Sequence, residues 1–155
     1  EGKHVATFPM YGFERRGAPV VAFTRMDDKQ IREKTQIYTP DCLAVIDPGL
    51  LTLPTLYTGL KDDGFLILNS KSPLTTQPNE QVRTGGFINA TQIAVDEIGR
   101  DIPNTALLGA LAATTGWLTL ESLLACLKDY LSGDILERNY KSAERGYREV
   151  EVIKW

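Results

Sequence analysis

The chain is poor in the residues that build metal and redox sites. Among its 155 residues there is one histidine, His4, and two cysteines, Cys42 and Cys126. The cysteines stand 84 positions apart and neither belongs to a C-x-x-C pair, which excludes zinc or iron–sulfur spacing. Both are expected to be buried, reduced and inert, Cys42 inside an apolar strand and Cys126 on the leucine-rich face of a helix. With no second histidine and no nucleophile paired to it, His4 reads as a surface or interface residue at the start of the first strand. No apolar run approaches the roughly 20 residues that cross a bilayer, and no charged segment precedes an apolar one as in a secretory signal. Positive charge is not in excess: 17 Lys and Arg face 20 Asp and Glu, a net charge of −3 with pI near 5.2. That argues against a general nucleic-acid binder, which carries a basic face. There is no Gly-x-Gly-x-x-Gly, no Ser/His/Asp order, no internal repeat and no low-complexity run.

What remains is the composition of an ordinary globule, 43% hydrophobic and 24% charged. The length is that of one domain, able to bury about two-thirds of its unfolded surface. Short strands are expected at Val5–Phe8, stopped by Pro9, and at Pro19–Arg25. Cys42-Leu-Ala-Val-Ile46 and Phe65-Leu-Ile-Leu68 are nearly all apolar and read as strands buried on both faces. The mixed apolar spacing of Leu50–Leu60 predicts a crossover helix between them, and strand–crossover–strand is the mark of a parallel sheet. Lys71–Gln81 has no period and reads as a loop. Gly85-Gly86-Phe-Ile88 predicts a further strand feeding a helix at Ala90–Ile98.

The last third is helical. Pro103 opens a helix over Asn104–Thr115 that Gly116 ends, and Gly109 within it permits close packing. Thr119 caps a helix running to Leu131. Gly133 is expected to close that helix and Asp134 to cap the next, whose stripe is Leu136, Tyr140, Ala143 and Tyr147. Val150–Trp155 alternates and ends on an exposed aromatic, as a strand or linker would. The fold class is therefore α/β, a Rossmann-like, mostly parallel sheet flanked by helices with a helical C-terminal third.

The segment with most chemical content is Tyr11-Gly-Phe-Glu-Arg-Arg-Gly-Ala-Pro-Val-Val-Ala-Phe-Thr-Arg25. Glu14, Arg15 and Arg16 sit between Gly12 and Gly17, next to a strand-like run. Two adjacent guanidinium forks suit a carboxylate or phosphate. They equally suit an ion pair with Glu14 that fixes the loop, or a contact with another chain. Asp27-Asp28 and Asp62-Asp63-Gly64 read as turn formers. Asp47-Pro-Gly, at the carboxyl end of a buried strand, stands where open α/β sheets bind ligands. The site candidates are thus Tyr11, Glu14, Arg15, Arg16, Gly17 and Asp47. None of them completes a catalytic set, and no metal ligand is expected in this chain.

The Tyr11–Arg25 run, with Asp27-Asp28-Lys-Gln-Ile31 and Pro40-Asp41-Cys-Leu-Ala-Val-Ile-Asp47 after it, resembles the gamma subunit of the 2-oxoacid:ferredoxin oxidoreductases, the third domain of the single-chain pyruvate enzyme. Asn89-Ala-Thr-Gln-Ile-Ala94, Pro103-Asn-Thr-Ala-Leu-Leu-Gly-Ala110 and Glu137-Arg-Asn-Tyr-Lys-Ser-Ala-Glu-Arg-Gly-Tyr147 are similar to the same family, in the family's order along nearly the full chain. Gamma chains usually open with a strand and a turn reading roughly Gly-x-Gly-Gly-Gln-Gly. Here Glu1-Gly-Lys-His-Val-Ala-Thr matches their second strand and no initiator Met is present, so the chain reads as a piece of a longer polypeptide.

The resemblance implies oxidative decarboxylation of a 2-oxoacid on thiamine diphosphate with magnesium, electrons passing through [4Fe-4S] clusters to ferredoxin and the acyl group passing in most members to coenzyme A. It places those cofactors on other domains or subunits, with none bound by this chain alone, and makes this chain an accessory domain in a cytoplasmic complex. Its partners would be those subunits, not nucleic acid or membrane. Pyruvate, branched-chain or aryl 2-oxoacids, 2-oxoglutarate and oxalate all remain open as substrate. The competing readings are a free-standing nucleotide-binding α/β enzyme, disfavoured by the missing glycine loop, and a structural module without ligand contact. Tyr11, Phe13 and Trp155 are expected at contacts with neighbouring subunits.

Overall fold

The computed structural model describes residues 1–10 and 20–155. The chain divides into two compact units, Glu1–Tyr38 and Thr39–Trp155.

The first unit is an antiparallel pair, β1 (His4–Met10) and β2 (Val21–Asp27), with Phe8 opposite Phe23 and Met10 opposite Val21. The two phenyl rings stack at 5.6 Å. Pro9 does not stop β1 but lies within it, opposite Ala22. Each strand of a two-stranded sheet is an edge, where the missing N–H of proline is tolerated. Pro19, expected to open β2, lies outside the described residues. After β2, Asp27 accepts from the Lys29 amide at 2.9 Å, the turn anticipated for Asp27-Asp28. Arg25 then holds the following segment by donating to the Thr35 and Gln36 carbonyls.

The second unit is a four-stranded sheet in the order β3 (Cys42–Val45), β4 (Gly64–Asn69), β5 (Val82–Ile88), β6 (Glu151–Lys154). β3, β4 and β5 run parallel and β6 pairs antiparallel with β5. β4 is buried on both faces, which explains its unbroken apolar run. Ile67 faces one cluster with Ile88, Ile93, Ala106, Leu107 and Ala110, whereas Leu66 and Leu68 face another with Val45, Val82 and Phe87.

The crossover from β3 to β4 corrects the expected helix at Leu50–Leu60. A 3-10 helix at Pro48–Thr52 gives way to successive i→i+3 turns, Leu56 to Leu53, Thr58 to Thr55 and Leu60 to Tyr57. Pro54 can donate no helical hydrogen bond, Thr52, Thr55 and Thr58 are β-branched, and Gly59 sits at φ 79, so an α-helix is never propagated. Leu50, Leu51, Leu56 and Tyr57 still cover the sheet. Asp63 turns the chain into β4 at φ 63, a conformation that Asp tolerates better than most residues.

Four α-helices follow: α1 (Ala90–Ile98), α2 (Asn104–Thr115), α3 (Leu120–Leu127) and α4 (Gly133–Glu149). Gly116 ends α2 in the left-handed region and Thr119 caps α3 through the Ser122 amide, as the sequence indicated. α3 stops at Leu127 rather than Leu131. Ser132, not Asp134, is the N-cap of α4, so Gly133 opens that helix instead of closing the previous one. Asp134 occupies its first turn, where a carboxylate complements the helix dipole.

The buried stripe of α4 is Asn139, Ser142, Ala143 and Gly146, with Tyr147 at its exposed margin. Of the expected stripe, Ala143 is buried, Leu136 and Tyr140 are half-buried and Tyr147 is exposed; the seam itself is of small residues because α4 meets α2 nearly backbone to backbone. Trp155 is likewise not an exposed end. It is half-buried, edge-on to Phe87 at 6.1 Å.

Cys42 is half-buried, but Cys126 is exposed, contrary to expectation. The packed face of α3 is Leu120, Leu123, Leu124 and Leu127, and Cys126 projects to its side. Burial, with Asp41 adjoining, pushes the Cys42 thiol up to about 12, so it stays protonated at neutral pH. Iodoacetamide at about pH 8 should therefore modify Cys126 in the folded chain and Cys42 only after unfolding. Equal labelling of both in native protein, read by peptide mass, would contradict the burial of Cys42.

Candidate functional site at the strand carboxyl ends

β3, β4 and β5 all deliver their carboxyl ends to one edge of the sheet, and the polar side chains of the second unit converge there. Asn69 ends β4 at 9% exposure and acts as the tie. Its amide donates to the Ile46 carbonyl at 2.9 Å and to Thr91 Oγ1 at 3.0 Å, and its oxygen accepts from the Thr91 amide at 3.2 Å. One side chain thus joins the end of β3, the end of β4 and the first turn of α1. Asn89 caps α1 by accepting from the Gln92 amide at 3.2 Å.

Around this tie lies an open cleft of about 370 Å³ lined by Ile46, Asp47, Asn69, Thr91, Asp101 and Pro103. Asp47 is therefore where the sequence put it, at the carboxyl end of β3. Its Oδ1 is committed to the Gly49 amide at 2.9 Å, making it the cap of the 3-10 helix as well as a wall of the cleft. A second hollow of about 270 Å³ adjoins α1 and is bounded by Ser70, Lys71, Asn89, Gln92, Arg145 and Glu149.

Arg145 closes that side. It is bidentate to Glu149, through Nε at 2.6 Å and Nη2 at 3.2 Å, and donates through Nη1 to Glu97 at 2.9 Å and Asp96 at 3.2 Å. These bonds, that to Glu149 foremost, raise its already high pKa. Hydrogen bonds from Gln92 and then Arg145 hold the Asp96 carboxyl below the ordinary carboxylate range. A depressed folded pKa gives stability that is complete above the unfolded value near 3.8 and lost as pH falls through the folded one. The α1–α4 contact should accordingly loosen only below about pH 4. Arg145→Ala should flatten the acid limb of a urea-midpoint profile, and an unchanged limb would remove this network from the account.

Asn69, Thr91 and Asp101 were not singled out from the sequence. The available signal was an Asn terminating an apolar run before a turn, which marks a strand end but not what it will touch. Tyr11, Glu14, Arg15, Arg16 and Gly17 lie in the connection between β1 and β2, outside the described residues, as does Phe13.

Chemically, the cleft offers hydrogen-bond donors and acceptors and two carboxylates. It presents no nucleophile beside a base. Among the described residues no three His, Cys, Asp or Glu side chains gather as metal ligands would. No described helix is long and apolar enough to cross a membrane.

Residues 1–149 match the family model described as pyruvate ferredoxin/flavodoxin oxidoreductase. The chain belongs to that family. Within it, the chain is 45% identical over 157 aligned residues to the common subunit gamma of the pyruvate/ketoisovalerate oxidoreductases of Pyrococcus furiosus, covering 99% of this chain and 85% of that one. It is 43% identical to the pyruvate synthase subunit PorC of Methanothermobacter thermautotrophicus, over 99% of this chain and 83% of the relative. It is 44% identical to the gamma subunit of the NADH-dependent phenylglyoxylate dehydrogenase of Aromatoleum evansii, over 98% and 81%. Among solved structures, pyruvate oxidoreductase subunit PORC of Thermotoga maritima superposes with a TM-score of 0.85 at 34% identity, covering 99% of this chain and 83% of that one. The family resemblance read from the six sequence segments is therefore correct, and so is the α/β fold class.

Proposed function

We propose that this chain is the gamma-type accessory component of a multi-subunit 2-oxoacid oxidoreductase, contributing assembly surfaces and no reacting group. The observation that carries this reading is the family match over residues 1–149, which spans both compact units, together with relatives above 40% identity that are themselves oxidoreductase subunits. Both units are then parts of one gamma-type domain. The gamma reading displaces the free-standing nucleotide-binding enzyme.

The parent complex would use thiamine diphosphate with magnesium to decarboxylate the 2-oxoacid, [4Fe-4S] clusters to carry electrons to ferredoxin, and coenzyme A as acyl acceptor, in the cytoplasm. The residues of this chain do not fit the clusters. A four-iron cluster takes four cysteine thiolates, and two distant cysteines cannot supply them. The cofactors belong elsewhere in the complex, and the 2-oxoacid is chosen there too. Relatives named for pyruvate, ketoisovalerate and phenylglyoxylate share this type of subunit, which supports a component indifferent to substrate.

Affinity purification of the tagged full-length protein from its native cells tests the reading. The expected product is a brown, multi-subunit assembly that reduces ferredoxin or a viologen dye with a 2-oxoacid. A colourless monomer with activity of its own would overturn it.

A further inference from the structure

We draw no further inference here: the strongest candidate, the open cleft at the carboxyl ends of β3 and β4, belongs to the site already described, and its one buried polar side chain, Asn69, is already committed to the Ile46 carbonyl and to Thr91 while Asp47 is held as the cap of the 3-10 helix, which leaves no buried unpartnered group there to select a ligand.

Discussion

Replacing Arg15 and Arg16 together with alanine is expected to impair assembly or turnover of the parent complex far more than it destabilises the chain. An exposed ion pair contributes at most about 1 kcal/mol. Breaking a desolvated pair by removing one partner costs on the order of 3–5 kcal/mol, because a charge is left buried alone. Two adjacent guanidinium groups bounded by Gly12 and Gly17 are suited to that second situation, whether the counter-charge is an acidic ligand or a carboxylate of a neighbouring subunit. The expected result is a complex weakened by about two to four orders of magnitude, the factor those energies imply, with a melting temperature for the free chain close to the unaltered value. Normal assembly and normal turnover would reduce the segment to a family fingerprint.

Gly146→Ala is expected to be the most damaging single-methyl change in the second unit. A methyl at Gly146 would stand 2.7 Å from the Ala106 carbonyl carbon and 2.9 Å from its Cα, and would overlap the Ala106 carbonyl oxygen outright. The reciprocal substitution Gly109→Ala would press on the Ala143 carbonyl and stand 2.8 Å from the Tyr147 amide nitrogen. In both cases the obstacle is backbone of the facing helix, which cannot rotate aside, so α2 and α4 must separate. Separation would strain the Thr105–Asn139 hydrogen bond between those helices, 2.8 Å long and buried. Overpacking of this kind costs about 3 kcal/mol, at the upper end of its usual range, or roughly 6–12 °C in melting temperature for a chain of this size. Gly99→Ala makes the contrast. It meets nothing within 4 Å and pays only for its left-handed φ of 78, about 1 kcal/mol. Calorimetry that ranked Gly99→Ala as equal to Gly146→Ala would remove the close α2–α4 approach from the account of stability.

Features set by neighbouring residues were legible in the sequence. The apolar runs of β3 and β4, the Thr119 cap, Pro103 and Gly116 bracketing α2, and the Asp62–Gly64 turn each depend on interactions within a few positions. Family membership was also legible, since six ordered segments carry it. Gly109 was read as permitting close packing, but Gly146 as its counterpart was not. That pairing spans 37 positions and no local pattern records it. The crossover failed for a different reason: apolar spacing suggested a helix, while Pro54 and the β-branched threonines left only successive 3-10 turns.

The candidate site divides in the same way. Asp47 was found because the end of an apolar strand can be read locally, although β3 proves to be a half-buried edge strand and not one buried on both faces. Asn69 was missed because its significance lies in joining Ile46, 23 residues before it, to Thr91, 22 residues after. Residue chemistry by itself determined that this chain could hold neither a four-cysteine cluster nor a histidine-based metal centre, that it would form an α/β body, and which oxidoreductase family it belongs to. Tertiary structure alone decided that β1 and β2 pair as a separate hairpin and that small residues form the seam of α4. It also turned Cys126 outward and tucked Trp155 against Phe87. Those outcomes depend on which distant surfaces compete for the same apolar area and how closely two backbones can approach, quantities with no period along the chain.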